Sequence, residues 1–472
     1  MKTAYLTFII ALLTLASSCK KYVEIEDPKD QLVASSVFLN DNTATAALVG
    51  IYSTMNESNY YFANVLTSFL GAMAADDFAY AAVFPAFDEF KNNAVLPGNT
   101  YVSQLWAQPY TFIYRANACY EGLSASTTLT PALKNQLMGE ALFVRAFCHF
   151  YLVNMFGDVP LITNTKVLEN TNKPRTPTAD VYKSVIADLE AAKNLLGVNY
   201  PGNAERTRPN KAAATALLAR VYLYTGNFAA AELQASEVIA NTATYKILPT
   251  AEMNNVFLKN SQEAIWQLQV VNTGLNRNTF EGNTIVPTGT PLYRLTKGTT
   301  GLEDAFETSD RRRANWVATF TTTTNLVYTY PFKYKVRVGT PVTEYSMVLR
   351  VAEQYLIRAE ARAQQNKLGD AVNDLNIIRQ RAGLGNLGAL TDLPSAMLAI
   401  EKERRLELFT EWGHRWFDLK RWKSVTGDAT KTRADDILPA IKTGWKPTAK
   451  LWPIPTSALT TNPSLTPNPG YN

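Results

Sequence analysis

The chain has 472 residues, with 46 lysines and arginines against 41 acids and a formal net charge of +5. This mild balance, with Arg311-Arg312-Arg313 as the longest basic run, argues against nucleic acid as a partner. The sequence has two histidines and three cysteines and contains no HExxH, P-loop or GxSxG motif, so it predicts no metal, no cofactor and no catalytic site.

The first eighteen residues are typical of an export signal. Lys2 provides a positive charge, the apolar run that ends at Leu15 is too short to span a bilayer, and three small residues precede Cys19. A cysteine directly after such a site resembles bacterial lipoprotein processing. We therefore predict a signal peptide over residues 1–18, lipidation of Cys19 and a tether over residues 19–30. An ordinary secretory signal with an incidental cysteine is the alternative.

Four helical hairpins are predicted in the rest of the chain. In the clearest one, alanines and large apolar residues at helical spacing fill Lys211–Tyr224, Gly226 interrupts the pattern, and a second alanine-rich helix begins at Phe228. This arrangement resembles a tetratricopeptide unit, in which small residues let paired helices approach closely. The other hairpins are predicted at residues 43–55 with 101–122, 133–156 with 179–196, and within 351–382.

Two long segments, residues 56–99 and 272–345, lack helical periodicity and are rich in aromatic residues. Their aromatic content is too high for disorder, so both are predicted to form a loop-rich lobe. The remaining cysteines, Cys119 and Cys148, lie in apolar helical segments. Buried free thiols are the simpler expectation, and one disulfide is the alternative in an oxidising compartment.

Five motifs, in the same order along the chain, are similar to those of the SusD/RagB family of outer-membrane nutrient-binding lipoproteins. The motifs are GEALFVRAFCHFYLVNMFGDVPLI (139–162), LRVAEQYLIRAEARA (349–363), LNIIRQRAGL (375–384), ERRLELFTEWGHRWFDLKR (403–421) and LWPIP (451–455). The last but one departs from the family pattern at Trp412, where a small or acidic residue is more frequent.

The resemblance implies a mainly α fold with few short strands. About four tetratricopeptide-like hairpins would form a right-handed superhelical wall packed against an irregular lobe. Residues 31–472 would form one domain, with an N-terminal part over about 31–250 and a C-terminal part over about 251–472.

The resemblance also implies a function without catalysis. A member of this family is expected to sit on the outer membrane, facing the cell exterior through its lipid anchor. There it would capture oligosaccharides and deliver them, as a lid, to a TonB-dependent SusC-like barrel transporter. Capture of peptides within the same family and a helical-repeat scaffold for other proteins are the alternatives.

Sugar rings stack on aromatic side chains, and their hydroxyl groups need polar partners. The resemblance places the ligand site in two aromatic regions, residues 56–106 and 290–334. The predicted ligand contacts are Asp76, Asp77, Phe78, Tyr80, Trp106, Tyr293, Arg294, Asn315 and Trp316. The pair Asp76-Asp77 could in principle serve glycoside hydrolysis, but adjacent acids usually point apart, so hydrolysis is not the prediction.

We interpret the motif at residues 403–421, called the ERR motif below, as structural. Its charged residues are predicted to form buried ion pairs that hold the last helix against the repeat wall. These residues are Glu403, Arg404, Arg405, Glu407, Arg415 and Asp418. At the start of the motif, Glu401 and Arg405 are spaced for a pair one helical turn apart.

Overall fold

The structure is a computed structural model that describes residues 34–271 and 275–471. The predicted signal peptide, Cys19 and the tether lie outside the described residues. The described chain is mainly helical with few short strands, as predicted. Among the described residues, no helix combines the length and the apolar character that crossing a bilayer requires.

The helices form most of the described chain. In order they are α1 Ala34–Val37, α2 Asp41–Met55, α3 Thr67–Ala74, α4 Pro85–Lys91, α5 Thr100–Ala125, α6 Pro131–Phe156, α7 Val167–Asn170, α8 Thr178–Leu195, α9 Lys211–Tyr224, α10 Phe228–Ala240, α11 Phe280–Ile285, α12 Leu302–Ala305, α13 Arg311–Trp316, α14 Val351–Gln364, α15 Leu368–Arg381, α16 Leu393–Leu408, α17 His414–Arg421, α18 Arg433–Ile437 and α19 Thr456–Thr461. A π-helix covers Phe62–Leu66, and 3₁₀ turns cover Thr250–Asn255, Leu438–Ala440 and Pro447–Lys450.

The strands form three small antiparallel sheets. They are β1 Phe78–Tyr80, β2 Ala264–Leu268, β3 Tyr293–Leu295, β4 Val317–Thr321, β5 Val327–Pro331 and β6 Ser346–Arg350. Strand β1 pairs with β3, β2 with β6 and β4 with β5. In the first pair Phe78 lies opposite Leu295 and Tyr80 lies opposite Tyr293.

The long helices pack in a continuous series. Helix α5 packs on α6, α6 on α8, α8 on α9, α9 on α10, α10 on α14, and α14 on both α15 and α16. Helices α10 and α14 are neighbours in space although residues 241–350 separate them, so the intervening segment is excluded from the wall and forms the lobe. The helices of all four predicted hairpins are present, and the bounds of α9 and α10 match the prediction. Their likeness to tetratricopeptide units and the handedness of the wall remain predictions.

The prediction that residues 56–99 lack helices is wrong. This segment contains the π-helix, α3 and α4. Every residue of α3 is buried, so the helix has no solvent-facing side and leaves no amphipathic pattern in the sequence. Cys119 and Cys148 are both buried and free. Burial raises the pKa of the Cys119 thiol to about 11, which keeps the thiol protonated.

Ten buried charged side chains form a cluster between the lobe and the C-terminal helices, which we call the central charge cluster. Its five acids are Glu263, Asp310, Glu403, Glu407 and Glu411, and its five bases are Arg312, Lys333, Arg350, Arg379 and Arg381. The formal charges therefore cancel. Three of the acids, Glu403, Glu407 and Glu411, come from the motif at residues 403–421, and two of the bases come from α13 and β6, so the cluster joins the C-terminal wall to the lobe.

The backbone of helix α3 packs directly against the backbone of the turn before α17. A Cβ atom added to Gly71 would lie 2.7 Å from the Cα atom of Gly413. Gly413 itself has a φ of 69°, in the left-handed region that favours glycine. The backbones of the lobe and of the C-terminal wall thus touch at a point where only glycine fits.

This contact predicts a difference between two glycine-to-alanine substitutions in helices. Gly71→Ala is expected to destabilise the protein by about 1–3 kcal/mol, because the extra methyl group meets backbone that cannot move aside. Gly50→Ala in α2 is the control, since its Cβ would meet nothing within 4 Å. Alanine there is expected to leave the stability unchanged or to raise it by about 0.5–1 kcal/mol. Chemical unfolding of both variants measures the difference, and equal midpoints would contradict the prediction.

Candidate functional site

Asp76 and Asp77 lie in the interior and are ion-paired. Arg415 binds the Asp76 carboxylate through two hydrogen bonds of 2.7 and 2.8 Å, and Arg405 donates one of 2.7 Å to Asp77. Asp76 is 2% exposed and Asp77 is fully buried. Neither carboxylate offers a surface to a ligand, so the structure moves both residues from the predicted ligand contacts to the scaffold.

The electrostatics of this pair agree with a structural role. Burial alone would raise the pKa of Asp76, but the guanidinium groups of Arg415 and Arg405 outweigh it and hold that pKa well below its ordinary value. Burial raises the pKa of Asp77, whose Oδ2 atom has no hydrogen-bond partner in the described part of the chain. Arg405 also lies 3.2 Å from the Asp76 carboxylate, so both arginines contact Asp76 while Arg405 pairs with Asp77 as well.

The other charged residues of the motif are also inside the protein. Arg404 binds Asp418 through hydrogen bonds of 2.7 and 3.1 Å, which tie α16 to α17. Glu401 accepts hydrogen bonds from Arg415 and Arg433, so the predicted pair between Glu401 and Arg405 is not formed. The motif thus acts through contacts within the fold.

Trp316 is likewise unavailable to a ligand. It is fully buried, its indole N–H donates to the carbonyl oxygen of Met253, and the Nζ atom of Lys333 lies 5.1 Å from its ring centre. The indole therefore packs against the central charge cluster. Its neighbour Asn315 is partly buried and donates its side-chain amide to the carbonyl oxygen of Arg311 within α13.

The remaining predicted contacts lead to a group of six touching rings, which we call the aromatic cluster. Its members are Tyr60, Tyr80, Phe84, Phe87, Tyr101 and Tyr293. Tyr80 and Tyr293 lie opposite each other on β1 and β3, with ring centres 5.0 Å apart. Phe78 stacks on Tyr293 from the interior and is 1% exposed, so it supports the cluster from below.

The aromatic cluster is partly open to solvent. Phe84 is 38% exposed, Tyr60, Tyr80 and Tyr101 are partly exposed, and Phe87 and Tyr293 are buried. The hydroxyl groups of Tyr60 and Tyr293 are 2.7 Å apart and hydrogen-bonded. Burial raises the pKa of both tyrosines, so both remain protonated at neutral pH. The cluster offers an apolar surface in which two phenolic hydroxyl groups are hydrogen-bonded to each other.

A charged group lies beside this surface. Arg294, next to Tyr293 on β3, places its guanidinium carbon 3.5 Å from the ring centre of Tyr328 on β5. Its Nε atom donates to the carbonyl oxygen of Pro291. Among residues 34–271 and 275–471 the Nη groups of this partly exposed guanidinium have no acceptor, so they can donate hydrogen bonds to a ligand.

Four members of the aromatic cluster are absent from the predicted contacts, namely Tyr60, Phe84, Phe87 and Tyr101, as is Tyr328 beside Arg294. The density of aromatic residues in two separate segments is the signal that indicates them, and the folded chain brings the segments together through the pairing of β1 with β3 and the contact of Tyr60 with Tyr293. Trp106 is 8% exposed and lies apart from the cluster on α5, against Tyr110 and Phe156. No group of three or more metal-ligating side chains occurs within residues 34–271 and 275–471.

Comparison with known proteins identifies the family. Residues 21–223 match a family described as starch-binding and associating with the outer membrane, and residues 231–471 match the SusD family. The second match covers more than half of the chain. The chain belongs to the SusD family.

Individual relatives agree with this assignment. SusD-like protein P2 of Formosa agariphila is 27% identical, and the match covers 100% of both chains. A solved structure described as a laminarin binding SusD-like protein is 26% identical, has a TM-score of 0.73, and is matched over 92% of this chain and 100% of that chain. A SusD superfamily protein from Parabacteroides distasonis has a TM-score of 0.77 at 23% identity, over 93% of this chain and 100% of that chain. The last likeness supports the fold alone.

Proposed function

We propose that this protein captures neutral oligosaccharides on the aromatic cluster and passes them to a TonB-dependent SusC-like transporter as its lid. The observation that carries the proposal is the partly exposed set of rings around Tyr80 and Phe84, with the Arg294 guanidinium beside it. Aromatic faces bind the C–H face of a sugar, and a fixed guanidinium donates hydrogen bonds to its hydroxyl groups. The similarity to a laminarin-binding protein supports a glycan as the cargo.

The proposal assigns different roles to the predicted contact residues. Tyr80 and Arg294 contact the sugar, joined by Tyr60, Phe84, Tyr101 and Tyr328. Phe78 and Tyr293 hold the ring surface in place, while Asp76, Asp77 and Trp316 belong to the scaffold. Asn315 is part of the support of α13, and Trp106 serves a separate surface that is described below. No step of this function requires catalysis.

Removing one exposed ring tests the site. Tyr80→Ala is expected to raise the Kd for a bound glycan about tenfold, because one stacking contact of about 1.4 kcal/mol is lost. Laminarin is the first glycan to test, by native affinity electrophoresis and calorimetry. Tyr80→Phe is the matched control, since the Tyr80 ring makes the contacts and its hydroxyl group has no hydrogen bond within the described residues.

The outcomes of this test are distinct. Retained affinity in Tyr80→Phe together with a loss in Tyr80→Ala supports stacking on the aromatic cluster. Wild-type affinity in Tyr80→Ala would place the ligand elsewhere on the molecule. Circular dichroism of each variant verifies that the ring surface is still folded.

We also propose that Cys19 carries the lipid that holds the protein on the outer membrane, with residues 19–30 as the tether of the lid. Acyl chains partition into a bilayer with about 0.8 kcal/mol per buried CH₂ group, so several chains give stable attachment. Cys19→Ala is expected to abolish incorporation of radiolabelled palmitate and to remove the protein from the cell surface. Cys119→Ala is the control, because that thiol is buried. Normal surface display of the Cys19→Ala protein would refute the anchor.

A further inference from the structure

A second aromatic surface lies between α5 and α19, away from the aromatic cluster. It is an open groove of about 570 Å³, and we call it the α5–α19 shelf. Its lining includes Trp106, Tyr110 and Tyr114 from one face of α5 and Ser457 and Thr461 from α19. None of the described residues that line it belongs to the aromatic cluster.

The three rings of the shelf follow one another at intervals of four residues. Residues four apart lie on the same helix face, one above the other, with a rise of about 6 Å. The rings of Trp106 and Tyr110 are 5.3 Å apart, and Tyr114 extends the row with 53% of its surface exposed. The row is therefore a ladder of rings along one helix, and the spacing of the rings is similar to the length of one sugar unit.

The polar groups of the shelf are suited to hydroxyl groups. Trp106 is 8% exposed, and its indole N–H has no acceptor among residues 34–271 and 275–471, although the side chain lines the groove. A donor at an open groove can exchange water for a ligand that supplies an oxygen atom. Hydroxyl groups of serine and threonine form the rim, and none of the described residues lining the shelf is charged.

We propose that the α5–α19 shelf is a second glycan-binding subsite, which takes neutral pyranose units of a longer chain. The lack of charge in the lining excludes acidic sugars as the preferred ligand, and the ring ladder favours a sugar chain over an isolated small molecule. This inference rests on the proposed function and deepens it.

The shelf and the aromatic cluster flank the same connection in the chain. The backbone N–H of Thr456, at the start of α19, donates to the carbonyl oxygen of Pro97 in the segment between α4 and α5. Helix α4 carries Phe87, and the first turn of α5 carries Tyr101. One long glycan can therefore contact both surfaces, and the two weak contacts then reinforce each other through their high effective concentration.

The test blocks the shelf without removing any existing contact. Ala107 lines the shelf and is exposed, so Ala107→Arg places a long side chain in the groove and removes no side-chain group. Tyr114→Ala removes the most exposed ring, and Tyr114→Phe is its matched control. Wild type and variants are measured against laminarin, soluble starch and mannan, and against short oligosaccharides made from each.

For any polysaccharide that binds the wild-type protein, Ala107→Arg and Tyr114→Ala are expected to lower the affinity for that polysaccharide about tenfold or more. The affinity for the short oligosaccharide, which the aromatic cluster binds alone, stays within about twofold. Tyr114→Phe behaves as the wild type. If Ala107→Arg binds every long chain as the wild type does while Tyr80→Ala loses binding, the shelf proposal fails and the proposed function stands. If the wild-type protein binds none of these glycans, the shelf proposal and the proposed function are both overturned.

Discussion

Replacing Glu407 with alanine is expected to lower the free energy of unfolding by about 3–5 kcal/mol, because three buried arginines then lose their shared partner. The carboxylate of Glu407 accepts hydrogen bonds from Arg350 at 2.5 Å, from Arg381, and from Arg312 at 3.5 Å. All four side chains are buried. These guanidinium groups outweigh burial and hold the pKa of Glu407 well below its ordinary value.

The formal balance of the central charge cluster explains the size of this effect. With five acids and five bases, loss of one acid leaves a net charge of +1 in the interior, where solvation is poor. Urea unfolding monitored by circular dichroism measures the change. Glu169→Ala is the control, because Glu169 pairs with Lys166 on the surface, with both side chains more than half exposed, and its loss is expected to leave the midpoint unchanged. Equal midpoints for the two variants would refute the structural role of the cluster.

The wall helices could be predicted from the sequence because their signals are local. Alanine spacing and the turn at Gly226 mark the end of one helix and the start of the next within a few residues. The structure confirms the bounds of α9 and α10. Helix α3 gave no such signal, since a helix buried on all sides has no polar face for the pattern to show.

The candidate site could be predicted only as a region. Asp76 looks like a polar ligand contact in a loop rich in aromatic residues, but its partner Arg415 lies 339 residues further along the chain. Trp316 has the composition of a sugar-stacking residue, yet its surroundings are set by Lys333, Arg350 and Arg381 from separate segments. Local sequence does not contain these long-range contacts, so it cannot separate an exposed ring from a buried one.

The ion pairs of Asp76 and Asp77 connect the scaffold to the aromatic cluster. Asp76 and Asp77 directly precede β1, and β1 carries Tyr80 into the aromatic cluster. Arg405 also donates to the carbonyl oxygens of Asp76 and Thr300, which fixes the backbone on both sides of the β1–β3 pair. The family motif therefore supports the aromatic cluster indirectly, by holding the strand that carries Tyr80 into it.

Arg415→Ala is accordingly expected to weaken both stability and glycan binding. Loss of Arg415 leaves the buried Asp76 carboxylate without its bidentate partner, which lowers the free energy of unfolding by about 3–5 kcal/mol. Freed from this anchor, β1 is held less firmly, so the Kd for a glycan at the aromatic cluster rises several-fold even at temperatures where the variant is folded. Arg433→Ala is the matched control, since Arg433 also pairs with Glu401 but does not contact Asp76.

The comparison with Glu407→Ala separates the two roles. Both substitutions are expected to destabilise the fold, but the Glu407 carboxylate pairs with Arg312, Arg350 and Arg381 of the central charge cluster, whereas Arg415 pairs with Asp76. Folded Glu407→Ala protein is therefore expected to keep the wild-type Kd, whereas folded Arg415→Ala protein is not. Calorimetry at a temperature well below both unfolding transitions makes the measurement. Wild-type affinity in Arg415→Ala would mean that the aromatic cluster holds its own shape, and that the motif contributes to stability alone.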